Sequence, residues 1–198
     1  MKLVFASNNV NKLEQVKLLL DNDQVLMPKD IGIDNFDVIE DGETLKDNAF
    51  KKANELYKLK KTKVFSDDTG LFVKSLDNRP GIYAHRYAGE NATDKDNRDK
   101  LLAELSGKDN REAYFLTVIC FIDDDGKAYY FEGKLNGTIA KNELGDGGFG
   151  YDKIFYVDKY DKSLAQMEIN FKNKISHRGL AMKEFKKFLE EKYENFNN

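Results

Sequence analysis

The sequence predicts an α/β protein, a sheet flanked by helices, and three stretches carry that prediction. Lys2 to Ala6 is a short apolar run, and a polar turn separates it from Leu13, Val16, Leu19 and Leu20 at helical spacing. Leu45, Ala49, Ala53, Leu56 and Tyr57 stripe one face of a helix from about Thr44 to Leu59, which leads into a second apolar run at Val64 and Phe65. Ala113 to Ile122 and Lys127 to Glu132, joined by Asp123-Asp124-Asp125-Gly126, read as a hairpin with a long, mostly buried first strand.

The first strand is followed by Ser7-Asn8-Asn9-Val10-Asn11-Lys12, and two readings of that turn stand side by side. Ser7, Asn9 and Lys12 at a helix amino end can grip a phosphate, or Ser and Asn can simply cap the helix. The glycines of a P-loop are absent. Val25 to Met27 and Phe36 to Ile39 are short strand candidates, and Glu40-Asp41-Gly42-Glu43 closes the second of them. Glu40 is then a carboxylate at a strand end, or a solvated turn residue; Lys51 and Lys52 read locally as helix surface.

Lys63 to Leu71, KVFSDDTGL, is the stretch with the most chemistry. Val64 and Phe65 look like the end of a buried strand, which would put Asp67 and Asp68 at its carboxyl end, where α/β proteins bind ligands. Asp oxygens suit Mg²⁺, an ionised Asp can take a proton from water, and Gly70 leaves room for an anion near the backbone. A plain acidic turn is the competing reading. Glu40 is the candidate partner of Asp68 at one metal ion.

Leu71 to Leu76 continues as strand or irregular structure, Asp77 to Gly89 is a loop turned by Pro80-Gly81, and Thr93 caps a helix that runs through Leu101, Leu102 and Leu105 to Gly107. His85 and Arg86 in that loop read as cleft or surface residues. Lys134 to Ala140 is a further strand beside the hairpin. Gly145 to Asp152 is a glycine loop leading into a strand at Ile154 to Val157, an order that excludes a dinucleotide fingerprint. Such a loop suits a flat ring, with Phe149 stacking and Asp152 accepting from a ring N–H, or else Phe149 plugs the core. Ser176 is a natural cap for a last helix that carries Ala181, Phe185, Phe188 and Leu189 on one face. His177 and Arg178 then fall in its first turn, where cations oppose the helix dipole and imply a docked anion or carbonyl.

Composition limits the function classes. At 198 residues, with 40% hydrophobic and 34% charged residues and 2 prolines, the chain is a globular one. A chain of this size buries roughly 70% of its unfolded surface, enough for one large domain, or two lobes sharing a core, over 1–198. A net charge of -3 argues against a protein that coats nucleic acid, so a small-molecule partner is expected. The longest apolar run, Phe115 to Ile122 apart from Thr117, is far shorter than a membrane span, and MKLVFA starts a strand too abruptly for a signal peptide. Cys120 is the only cysteine, which rules out a disulfide within the chain and fits a reducing cytoplasm.

Six blocks in one order, SNNVNK (7 to 12), EDGETLKDNAFKKA (40 to 53), SDDTGL (66 to 71), PGIYAHRYAG (80 to 89), GGFGYDKIF (147 to 155) and KNKISHRG (172 to 179), resemble the inosine/xanthosine triphosphate pyrophosphatase family. The resemblance implies a long central mixed sheet with two lobes around an active-site cleft. It also implies a homodimer, Mg²⁺ dependence, and cleavage of deaminated purine triphosphates (ITP, dITP, XTP) to monophosphate and pyrophosphate. It makes Asp68 the catalytic carboxylate and a metal ligand, with Glu40 the accompanying metal position. Ser7, Asn8, Asn9, Val10, Asn11, Lys12, Lys52 and Lys172 match phosphate-contacting positions, and Thr69 a substrate contact. Phe149, Gly150, Tyr151, Asp152, His177 and Arg178 match base-recognising ones. Two departures are visible: Asn8 stands where the family often has Gly, and Lys153 replaces the usual Pro after Tyr-Asp. A non-catalytic nucleotide or RNA binder using Phe149 and lysines is the rival class, but it has no use for paired carboxylates that repel phosphate.

Overall fold

In the computed structural model, which describes residues 1–20 and 24–194, alternation along the strands sets the layers. β1 (Lys2–Phe5) sends Leu3 and Phe5 into one apolar cluster and Val4 into another, as a two-residue side-chain period requires. In β3 (Val64–Val73), Phe65 joins Phe5 and Val64 joins Val4. In β5 (Glu112–Ile122), Ile119 and Phe121 go to the first cluster, Cys120 and Ile122 to the second. Helices α1 (Val10–Leu19) and α5 (His177–Leu189) cover the first face with Leu13, Val16, Met182 and Phe185. Helix α2 (Leu45–Lys60) covers the second with Ala49, Ala53 and Leu56. Burial on both faces explains why these strands are apolar almost without interruption. The rings of Phe5 and Phe65 stack at 4.8 Å, and Phe185 lies 5.3 Å from both Phe65 and Phe121 at the centre of the first cluster.

The remaining strands are β2 (Gln24–Leu26), β4 (Pro80–Gly81), β6 (Ala128–Ile139), β7 (Phe155–Val157) and β8 (Lys162–Ser163). They complete an eight-stranded mixed sheet of order β2-β1-β3-β5-β6-β7-β8, with β4 on β3. β1 runs parallel to β2 and β3, while β3–β4, β6–β7 and β7–β8 are antiparallel. The α/β class with a long mixed sheet is therefore as expected. By contacts the chain divides into two units, one of residues 1–68, 117–133 and 177–198, the other of residues 69–116 and 134–176. The first holds the two clusters just described. The second has its own core, in which Leu101 of α3 (Asp94–Glu104) packs with Leu71, Phe115, Tyr151, Phe155 and Leu164. The short helix α4 (Ile169–Ile175), not foreseen in the sequence, also belongs to it. No helix among the described residues is long and apolar enough to cross a membrane.

Several expectations are corrected. Asp67 and Asp68 do not follow a strand but lie within β3, which runs on to Val73 because Leu71 and Phe72 pair with β4. Pro80-Gly81 is that paired strand and not the turn; the chain reverses upstream, at Asp77 and Asn78 with φ of 53° and 62°. Phe36 to Ile39 is not a strand: both edges of β1 are taken by β2 and β3, and the segment is fixed by Phe36 entering the core and by Asn8 Nδ2 donating to its carbonyl. The space at Gly70 is filled by the chain itself, since an added Cβ would lie 2.7 Å from the Phe72 ring and 2.9 Å from the Gly81 carbonyl. Lys127–Glu132 and Lys134–Ala140 are one strand, β6, through Gly133. Ser176 does stand directly before α5 with the extended backbone of a cap, and in addition its N–H closes α4 on the Lys172 carbonyl.

Gly133 is in the strand because the start of α5 needs the space. A Cβ there would lie 2.0 Å from the His177 carbonyl and 2.5 Å from the Ala181 amide, both backbone atoms that cannot swing away. G133A should therefore cost about 1–3 kcal/mol of stability through overpacking. Urea unfolding measures this, and an unchanged midpoint would mean the helix start retreats freely.

Candidate functional site

The site is built by the pleat of β3. β1 ends at Phe5, whose partner is Phe65, so Ser66, Asp67 and Asp68 run on past the end of their parallel neighbour. Their side chains still alternate. Ser66 Oγ donates to the Ala49 carbonyl of α2, Asp67 turns to α1 and α5, and Asp68 turns back to α2. Two consecutive carboxylates, each under 5% exposed, thereby meet different partners.

Asp67 is locked by two cations. Its Oδ1 accepts from Lys12 Nζ and its Oδ2 from Arg178 Nε, both at 3.0 Å. Arg178 Nη1 in turn donates to Gln15 Oε1 at 2.8 Å. Lys12 and Gln15 are one turn apart on α1, so one helix face serves both contacts. Burial alone would push the Asp67 carboxyl up, but Lys12 and Arg178 more than offset it and hold the carboxyl well below the usual carboxylate range. Burial lowers the Lys12 ammonium, with Asp67 pulling the other way.

Asp68 is in a different electrostatic state. Its Oδ1 lies 3.8 Å from Lys52 Nζ, which donates at 2.8 Å to Glu40 Oε1. Burial pushes the Asp68 carboxyl up to about 6, Lys52 opposes this, and the Glu40 charge adds to it. The Lys52 ammonium is raised despite its burial, because Asp68 and Glu40 both stabilise its charge. Lys51, one residue away, instead pairs with Asp41 at the surface. The structure thus brings Glu40, Lys52 and Asp68 together, as expected of the acidic pair, with a lysine between them.

The turn after β1 is held locally. Ser7 Oγ accepts from the Asn9 amide, and Asn9 Oδ1 accepts from the Lys12 amide at 3.1 Å, the N-cap of α1. Val10 and Asn11 are exposed, and the first turn of α1 carries no acidic residue. His177 and Arg178 do lie in the first turn of α5, both buried. His177 Nδ1 meets Thr117 Oγ1 of β5 at 2.6 Å.

In the second unit, Thr69 is half-buried in β3, and the glycine loop is pinned at each end. Asp152 Oδ2 accepts from Lys172 Nζ at 2.9 Å and from the Phe149 amide at 3.3 Å. Asp94 and Arg98, one turn apart on α3, hold the Gly150 amide and carbonyl, each at 2.7 Å. Phe149 is half-buried; the ring that enters the core is Tyr151, whose hydroxyl donates to the Ala84 carbonyl at 2.6 Å.

The sequence model of the Ham1 family matches residues 3–188. The chain belongs to the Ham1 family. It is 44% identical over 195 residues to a dITP/XTP pyrophosphatase of Clostridium perfringens, spanning 93% of this chain and 95% of that one. It is likewise 44% identical over 182 residues to a dITP/XTP pyrophosphatase of Flavobacterium psychrophilum, spanning 91% and 95%. Among solved structures, the Staphylococcus aureus Ham1 protein superposes with a TM-score of 0.88 at 40% identity, over 96% of this chain and 99% of that one. These names agree with the resemblance carried by the six sequence blocks.

Within this Ham1 chain, Gln15, Thr117, Asp94 and Arg98 escaped the reading of the sequence. Thr117 is the lone polar residue in the run from Phe115 to Ile122, and that mismatch is the signal that could have marked it; Gln15, beside Glu14, carries no such signal. Asp94 and Arg98, opposite charges four apart on a helix, look like an ordinary surface pair. Among the described residues no group of three or more His, Cys, Asp or Glu is placed to hold a metal ion. Two carboxylates, Glu40 and Asp68, are nevertheless the donor set that Mg²⁺ uses when substrate phosphates supply further oxygens.

The two aspartates should respond oppositely to neutralisation in metal-free protein. The native Asp68 carboxyl, at about 6, binds its proton more tightly than the ordinary 3.8, so its contribution to stability falls as pH rises from about 4 to 6. D68N should then be more stable than the parent at about pH 7.5, by up to about 3 kcal/mol, with the gain gone near pH 4. Asp67 has the reverse sign: its stabilisation is present above the ordinary carboxylate range and lost as pH falls through it. D67N should cost about 3–5 kcal/mol at the same pH by leaving Lys12 and Arg178 uncompensated. Urea unfolding in chelator from about pH 4 to 8 tests both, and shifts of the same sign in the two variants would refute the division of roles.

Proposed function

We propose that this chain is a nucleoside triphosphate pyrophosphatase that hydrolyses deaminated purine triphosphates (ITP, dITP and XTP) to monophosphate and pyrophosphate. The observation that carries the reading is the buried Asp68 carboxyl at about 6 beside Lys52 and Glu40, a base poised near neutrality. The names of the relatives supply the substrate class.

Water attacks the α-phosphorus, its proton passes to an Asp68 carboxylate oxygen, and the bond to the bridging oxygen breaks as pyrophosphate leaves. Lys12 and Lys52 place positive charge where the leaving group becomes more negative, with Ser7 to Asn11 and Lys172 as further phosphate contacts and Thr69 as a substrate contact. Glu40 and Asp68 would hold Mg²⁺, which when bound neutralises and orients the triphosphate. His177 and Arg178 donate to the six-position oxygen of inosine or xanthosine; adenine offers an amino donor there and leaves a buried donor unsatisfied, at about 1–3 kcal/mol. Phe149 offers its ring to the base, in the loop that Gly150, Tyr151 and Asp152 shape.

The same reading makes the enzyme cytoplasmic, acting on free nucleotides and not on nucleic acid or membrane, as a single two-lobed domain that pairs as a homodimer. The single cysteine supports the first point and the family resemblance the last.

Pyrophosphate release is the deciding assay, run on ITP, XTP, ATP, GTP and the pyrimidine triphosphates with Mg²⁺ and with chelator. Release should favour ITP and XTP, stop with chelator, and fall by about 10³-fold or more in D68N while nucleotide binding persists. Near-normal turnover by D68N would overturn the assignment of the base, and equal rates on ATP and ITP the assignment of substrate.

A further inference from the structure

Thr117 carries a polar group into the wholly buried part of β5, between Leu116 and Val118 and beneath the first turn of α5. Its hydroxyl meets His177 Nδ1 at 2.6 Å. Because Nδ1 faces this hydroxyl, the ring can donate to a substrate only from Nε2, and a neutral ring with its proton on Nε2 takes the hydroxyl as donor at Nδ1. A hydroxyl that donates to Nδ1 leaves the imidazole proton on Nε2, since a neutral ring has one donor and one acceptor nitrogen. His177 is buried at the start of α5, and its backbone lies against Gly133 on the neighbouring strand, where an added Cβ would be 2.0 Å from the His177 carbonyl.

We infer that Thr117 is a positioning residue that sets the tautomer of His177, and that it thereby makes purine selectivity a property of β5. The inference rests on the functional reading above and deepens it. With Nε2 permanently a donor, His177 complements a six-oxo purine and opposes a six-amino one. The opposite tautomer would present an acceptor and reverse that preference.

The chain has two histidines, His85 and His177, so long-range ¹H–¹⁵N correlation of the imidazoles reads the tautomer directly, with H85Q identifying the His177 signals. The parent and T117S should both show the Nε2–H pattern, and T117V, which keeps the shape without the hydroxyl, should lose it. In kinetics, T117V should lower kcat/KM for ITP against ATP by about tenfold, and T117S should restore it. An Nδ1–H pattern in the parent overturns the inference without need of any variant. So does an Nε2–H pattern that T117V leaves unchanged, or an ITP preference that T117V leaves intact once its tautomer has shifted. If the parent hydrolyses neither ITP nor ATP, it is the functional reading that fails, and the correlation spectrum still decides the tautomer.

Discussion

Consecutive residues of a strand point to opposite faces, and at Asp67 and Asp68 that rule is converted into chemistry. Two carboxylates one residue apart in a flexible turn would share solvent and each other's field, and neither would differ much from the other. Held in β3 past the end of β1, they are separated by the strand itself. Asp67 takes its counter-charges from α1 and α5, Asp68 from α2, and each helix is in turn placed by the apolar cluster on its own face. The packing of Phe65 against Phe5 and Phe185 on one side, and of Val64 near Ala49 and Ala53 on the other, thus decides which cation each carboxylate meets.

The consequence is a large divergence in acidity within a dipeptide. Asp67, with two cations in direct contact, is held well below the usual carboxylate range and serves as a structural charge. Asp68, whose ion-pair partner Lys52 is shared with Glu40, is left at about 6. Pairs of titratable groups whose surroundings drive them apart are how one site obtains both a fixed charge and a proton acceptor. Burial costs stability in both cases, and only at Asp67 is that cost offset by partners.

Much of this was legible in the residues. The α/β class, the helix stripe of α2, the Asp-rich hairpin turn and the meeting of residue 40 with residue 68 all follow from apolar spacing, turn chemistry and the six family blocks. The acidic turn at Asp123 is a turn indeed, Asp123 Oδ1 accepting from the amides of Asp125 and Lys127. What could not be read was whatever depends on a partner distant in sequence. β3 runs through its acidic pair because β4, at Pro80–Gly81, pairs with it; Gly133 lies inside a strand because the backbone of α5 must pass; Lys52, spaced like surface, is buried because Glu40 and Asp68 reach it. Local preference favoured a break or a solvated face at each of these places, and tertiary contact overruled it.

The cations at the start of α5 show the same principle with its sign reversed. His177 and Arg178 stand in a first turn where the helix dipole disfavours positive charge, and the sequence alone suggests that a bound anion compensates them. For Arg178 the compensation is internal: the anion is Asp67, from the middle of the sheet, reached through Nε at 3.0 Å, while Gln15 takes a second N–H. For His177 the sheet supplies a polar partner without charge, the Thr117 hydroxyl at Nδ1. The first turn of α5 therefore carries one charge already balanced by the fold and one ring met from behind by a hydroxyl of β5. That arrangement follows from which residues β3 and β5 place beneath the helix: an anion under Arg178 and a hydroxyl under His177.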